Sequence, residues 1–106
     1  RRVTFAHWQL DTDREVLTAA DGSETDLTTA EFRLLTVLLE RPRLILSRDQ
    51  LLDLTSGRAA QAFDRAIDNQ ISRLRRKIEK DPTRPTIITT VRSGGYCLAT
   101  DVTDLP

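Results

Sequence analysis

Between Ile67 and Asp81 the chain reads IDNQISRLRRKIEKD. Arg73, Arg75, Arg76 and Lys77 crowd together there, and Asn69 and Gln70 precede them with two carboxamides. A guanidinium fork can donate two hydrogen bonds to one edge of guanine, and a carboxamide can both donate and accept at one edge of adenine. Side chains of these types, held on one rigid face, have the chemistry to read the edges of base pairs. The competing explanation is plainer: a run of cations is more often the solvated face of a surface helix.

The charge is concentrated rather than general. The 106 residues carry 16 basic and 16 acidic side chains, for a formal net charge of zero. Residues 61–100 hold 8 basic and 4 acidic side chains, whereas residues 1–60 hold 8 and 10, and Asp101 and Asp104 complete the balance. A positive segment on a neutral chain points to one surface made for a polyanion.

A helix would put these groups on one face. At about 100° per residue, Phe63, Ile67, Ile71, Leu74 and Ile78 fall on one arc. Arg65, Asn69, Ser72, Arg73, Arg76 and Lys80 fall on the opposite arc, with Arg75 and Lys77 at its flanks. Asp68 and Glu79 lie toward the same polar surface and are expected to orient neighbouring arginines. Lys77 and Lys80 fit a solvated face. The pattern predicts a helix from about Phe63 to Lys80, ended by DPTRP, because proline cannot continue it. TIITTV then reads as a strand, RSGG as a turn and YCLAT as the returning strand. This hairpin carries Arg92 near its tip. A helix with an apolar back and a cationic, amide-bearing front suits the major groove of duplex DNA, and an arginine on a hairpin tip suits the adjacent minor groove.

Two capped helices precede it. In LTTAEF, Thr28 is the expected N-cap and Glu31 its reciprocal partner, with Leu27 and Phe32 as the staple. That helix runs through AEFRLLTVLLERP and stops near Pro42. In LSRDQL, Ser47 and Gln50 repeat the device with Leu46 and Leu51, and the short helix RDQLLDLTS should stop at Gly57. The first 26 residues read as three short strands. VTFAHWQL is the first; it alternates, although neither side is cleanly polar, so the assignment rests on β-branched and aromatic content. EVLTA and SETDL follow, each after a turn. The expected order is β-β-β-α-α-α-β-β.

The length fits one domain spanning residues 1–106. No apolar run approaches membrane-spanning length, and no signal peptide is visible in RRVTFAHWQL. The lone Cys97 cannot form an internal disulfide, which favours a reducing, cytoplasmic setting and a buried, inert thiol. His7 has no second histidine or cysteine nearby, so it is expected to pack beside Trp8 rather than bind metal. DTDRE lacks the glycine of a calcium loop. With no phosphate loop and no Ser/His/Asp set, the sequence supports neither an enzyme nor a cofactor.

Three stretches together resemble the C-terminal effector domain of an OmpR/PhoB-type response regulator: LTTAEFRLLTVLLERPRLILSRDQLL, FDRAIDNQISRLRRKIEKDP and TIITTVRSGGYCL. The resemblance covers nearly the whole chain, and the subgroup around OmpR and the plant-associated virulence regulators is nearest in pattern. It implies an α+β winged helix: an N-terminal antiparallel four-stranded sheet, three helices and a C-terminal hairpin wing. The fourth strand would be very short, near Arg43–Ile45. It also implies transcriptional regulation by sequence-specific binding to double-stranded DNA in a bacterial two-component phosphorelay. The receiver domain, phosphorylated by a sensor kinase, is absent from this chain, which is expected to be an effector domain separated from it.

The family's roles carry over position by position. Arg65 matches a backbone-binding arginine, Arg73 the arginine that reads bases, and Arg75 an arginine near the phosphates. Gln70 stands at a variable contact position. Thr90, Arg92 and Tyr96 match the wing, with Tyr96 partly structural. Arg76 lies on the same basic face. Asn69 replaces a small apolar residue and should favour a hydrogen-bonding base. Ser72 replaces a phosphate-binding arginine in some members. The loop TSGRAAQAF, which can contact RNA polymerase in the family, lacks a tryptophan found in some members. Members commonly bind direct repeats as tandem dimers. The alternative is a winged-helix protein-interaction module that binds no DNA.

Overall fold

The N-terminal stretch VTFAHWQL is two strands, not one. The computed structural model describes residues 1–55 and 64–106, the latter without the side chains of residues 64–66. In it β1 (Arg2–Phe5) and β2 (Trp8–Asp11) are antiparallel neighbours, with Phe5 opposite Trp8. Ala6 takes a left-handed φ of 51° in the turn between them. The turn explains why neither side of the stretch looked polar. Val3 and Phe5 before it, and Trp8 and Leu10 after it, all point into the core. β3 (Val16–Ala19) and β4 (Glu24–Asp26) continue the meander, so all four strands of the expected sheet lie within residues 2–26.

A fifth strand closes the other edge. β8 (Val102–Leu105) pairs with β1, giving the order β4-β3-β2-β1-β8. DVTDLP gave no strand signal because it is short and holds two aspartates. One of them, Asp104, meets the Arg1 guanidinium at 2.9 Å.

The short strand expected near Arg43–Ile45 forms at β5 (Ile45–Ser47) and belongs to a different sheet. β5 pairs with β7 (Gly95–Leu98), which pairs with β6 (Ile88–Val91). The wing is therefore a three-stranded sheet anchored to the connection between the first two helices.

Both capping boxes form. In α1 (Thr29–Glu40) the Glu31 N–H donates to Thr28 Oγ1 at 3.2 Å, and the Thr28 N–H donates to Glu31 Oε1 at 2.8 Å. Before α2 (Arg48–Thr55), Ser47 and Gln50 exchange the same two bonds at 2.8 and 3.1 Å. Each box satisfies amides that a helix start leaves without partners. The stop expected at Gly57 lies outside the described residues. α3 (Asp64–Ile78) is the long basic helix, and Phe63, its expected first residue, also lies outside them.

The core sits between the N-terminal sheet, the helices and the inner face of the wing. Phe5, Leu10 and Leu17 meet Leu34, Leu35 and Leu38 of α1 and Leu51 of α2. Ile67, Ile71, Leu74 and Ile78 bring in α3, and Ile88 and Leu98 bring in the wing. Burying one such aliphatic side chain stabilises the fold by about 1.5–3 kcal/mol, so the four α3 residues hold that helix firmly by its back.

Candidate nucleic-acid interface

With its back buried, α3 offers its front to solvent. Asn69, Ser72, Arg73, Arg76 and Lys80 are exposed, and Gln70 is partly exposed beside Asn69. Among the described residues, the side chains of Arg73, Arg76 and Arg92 make no intramolecular hydrogen bond or ion pair. Their guanidinium donors are left for an external acceptor. The helix backbone reaches Arg65, whose side chain is outside the described set.

The far end of α3 is fixed by three polar ties. Trp8 Nε1 on β2 donates to Ile78 O at 2.9 Å in a buried setting. Lys77 Nζ donates to Asp26 O at 2.8 Å and meets Glu31 Oε1 at 2.6 Å. The Glu31 carboxylate thus serves α1's capping box and α3 together. Burial would push it up, but the Lys77 ammonium and the Thr28 backbone and hydroxyl outweigh that and hold it below the usual carboxylate range.

Glu79 makes the third tie, and here the sequence expectation is corrected. It does not orient arginines on the polar surface. It is buried, and its two carboxylate oxygens accept from the backbone N–H groups of Thr86, Ile87 and Ile88 at 2.8–3.0 Å. Glu79 still closes the last turn, its N–H donating to Arg75 O at 2.9 Å, but the chain returning at Thr86–Ile88 folds over its side chain, which the 100° step alone does not reveal. Its role is to splice the end of α3 to the start of the wing.

The wing tip is a three-residue turn between β6 and β7. Gly94 adopts φ 95° and its N–H donates to Val91 O at 2.9 Å, a left-handed conformation that glycine tolerates without strain. Arg92 stands exposed in this turn. Next to it, a Cβ on Gly95 would lie 2.6 Å from Leu46 O, so only glycine lets β5 approach β7 there.

Side chains join the wing to α3. Arg75 donates from Nε and Nη2 to Ile88 O at 3.0 and 2.7 Å, and from Nη2 to Thr90 Oγ1 at 2.9 Å. Tyr96 is buried, and its hydroxyl donates to Asp68 Oδ1. Burial, then the Asp68 contact, pushes the phenol above its ordinary value against the pull of Arg48 and Arg75. Asp68 also accepts from Arg48 Nε at 2.7 Å, so its expected role of orienting an arginine is met by one on α2. The Arg48 and Arg75 guanidinium carbons lie 5.8 and 5.4 Å from the Tyr96 ring centroid.

The sequence reading missed Arg48. Its one signal was position: a cation at the first residue of a helix opposes the helix dipole, and so calls for a carboxylate nearby. Cys97 is half-buried rather than buried as expected. His7 lies in the exposed β1–β2 turn rather than in a strand, but it packs beside Trp8 as expected, its ring 4.9 Å from that of Trp8. The loop read as TSGRAAQAF lies, beyond Thr55, outside the described residues.

A family model described as "Transcriptional regulatory protein, C terminal" matches residues 22–98. The chain belongs to this family. It is a winged-helix, DNA-binding output domain of the OmpR/PhoB type. The regulatory protein VirG of Agrobacterium fabrum is 48% identical over 102 residues, which are 96% of this chain and 40% of VirG. The chain thus spans about two fifths of the length of the curated relatives it matches. The DNA-binding domain of Klebsiella pneumoniae RstA, solved in complex with the RstA box, superposes with a TM-score of 0.82 at 33% identity, covering 93% of this chain and 97% of that one. Thermotoga maritima DrrB, a response regulator described as an OmpR/PhoB homologue, gives 0.80 at 28% identity, covering 92% of this chain and 43% of DrrB. Among the described residues of this OmpR/PhoB-type domain, no helix is long and apolar enough to cross a membrane.

Proposed function

We propose that the domain binds double-stranded DNA sequence-specifically, with α3 in the major groove and the wing tip at the minor groove. The observation that carries this is the split character of α3. Four buried aliphatic residues hold its back, while Asn69, Ser72, Arg73 and Arg76 stand exposed on its front. Arg73 and Asn69 read base edges, with Gln70 beside them. Arg65, Ser72 and Arg76 meet phosphates, and Arg92 enters the minor groove, where a narrow A·T segment concentrates negative potential. Thr90 and Arg75 form the adjoining surface between helix and wing, where a phosphate would lie, and Tyr96 supports it from beneath rather than by touching DNA.

In the full-length protein, a receiver domain phosphorylated by a sensor kinase would control this output. Two copies on direct repeats about one helical turn apart would gain avidity from that pairing. RNA polymerase is a candidate partner, and the cytoplasm, where the chromosome lies, is the expected location. Not being an enzyme follows from the same reading: every group assigned here binds, and none transforms.

Salt titration of binding to a labelled duplex of mixed sequence tests the reading. Affinity should fall steeply, with a log–log slope of about −0.9 per phosphate contacted. Absence of binding even at low salt would overturn it.

A further inference from the structure

Beyond the Glu79 splice at its start, the wing is tied to α3 at two further points, and two points fix an angle where one would leave a pivot. Arg75 holds β6 through Ile88 O and Thr90 Oγ1. Asp68 holds β7 through the Tyr96 hydroxyl. A helix rises about 1.5 Å per residue, so these anchors stand about 10 Å apart along α3. Glu79 pins β6 only at its first residue, Ile88. Thr90, Val91 and the tip lie beyond that pin, and among the described residues β6 is an edge strand paired only with β7. Arg48 braces the same joint, bonding Asp68 on one side and Gly94 O on the other at 3.3 Å.

We propose that Arg75 and the Asp68–Tyr96 pair are positioning residues, which lock the wing to the recognition helix so that Arg73 and Arg92 engage DNA as one rigid unit. The arginine fork is essential to this. A lysine ammonium keeps the charge but cannot reproduce the planar grip on Ile88 O with a branch to Thr90. The Tyr96 ring, with the Arg48 and Arg75 guanidinium carbons 5.8 and 5.4 Å from its centroid, keeps the joint filled so that the hydroxyl meets Asp68 in one geometry. The inference rests on the DNA reading for its consequence, although the joint itself can be measured without DNA.

Backbone 15N relaxation of the DNA-free domain reads the joint. In the wild type the amides of Val91, Ser93 and Gly94 should show order parameters near the ~0.85 of rigid backbone. Arg75→Lys and Tyr96→Phe should each lower them, and the double variant should bring them below about 0.6. The α1 amides of Leu34 to Leu38 should keep their wild-type values, which shows that the fold survives. Unchanged wing amides in the double variant would overturn the proposal. So would an Arg75→Lys domain as rigid as the wild type, since charge would then suffice.

A second arm uses a duplex that the wild type binds. Arg73→Ala and Arg92→Ala should be non-additive in the wild type and additive in the double-variant background. Additivity in both would sink the rigid unit while leaving DNA binding intact. Failure of the wild type to bind any duplex would instead overturn the functional reading, and the relaxation result would still decide the joint.

Discussion

The Tyr96 hydroxyl on the wing strand and Arg48 on α2 converge on one carboxylate, Asp68, in the first half of α3. One acidic side chain on a basic helix thereby ties three elements at the edge of the exposed front. Asp68 does not dilute the positive face so much as set where that face sits relative to the wing.

Removing Arg65 should affect all sequences alike. If Arg65 grips the backbone, Arg65→Ala weakens binding uniformly and reduces the salt slope by about one unit. Salt titrations on two unrelated duplexes check this. A loss confined to one sequence would move Arg65 among the base readers.

The Glu31–Lys77 pair should make stability depend on pH. The folded Glu31 carboxyl is held below its ordinary value, so the folded state binds that proton less tightly than the unfolded state. The stabilisation is therefore fully present above the ordinary carboxylate range and is lost as pH falls through the lowered value. Glu31→Gln keeps an amide able to complete the capping box but removes the charge facing Lys77. It should cost about 1–2 kcal/mol at pH 7, and the difference from wild type should vanish in acid. Urea unfolding at pH 7 and in acid measures both.

Glu79→Ala should be the more damaging change. It leaves the N–H groups of Thr86, Ile87 and Ile88 without their acceptor in a mostly buried setting. A loss of about 3 kcal/mol is expected, with a drop in Tm of several degrees per kcal/mol. Calorimetry reads it, and an effect below ~1 kcal/mol would mean that the loop re-pairs with water.

Gly95→Ala should separate β5 from the wing. The added carbon would meet the Leu46 carbonyl oxygen at 2.6 Å, and a backbone atom cannot swing aside. The expected cost is about 1–3 kcal/mol. Faster hydrogen exchange of amides in the β5–β7 ladder should accompany it, with α1 unaffected.

Much of this was legible in the sequence. The helical repeat of Ile67, Ile71, Leu74 and Ile78 carries its own geometry, so the exposed positions of Asn69, Ser72, Arg73 and Arg76 followed. The two capping boxes were readable because Thr28 and Ser47 stand three residues before Glu31 and Gln50. Long-range pairing was not readable. Nothing local in ILS says that it joins Cys97 and Gly95 rather than the N-terminal sheet, and nothing in VTDL says that it borders β1. The Ala6 turn was hidden because a non-glycine residue takes a left-handed conformation there. Glu79 and Arg48 were missed for a related reason: their partners lie 7 to 46 residues away in sequence.

The most direct measurement is selection of bound duplexes from a random pool at low salt, run side by side with the wild type and Arg73→Ala. The wild type should enrich one motif, repeated at about one helical turn. Arg73→Ala should bind more weakly by about 1–3 kcal/mol and lose preference at a single base of that motif. An identical motif from both proteins, bound with equal strength, would contradict base reading by the front of α3.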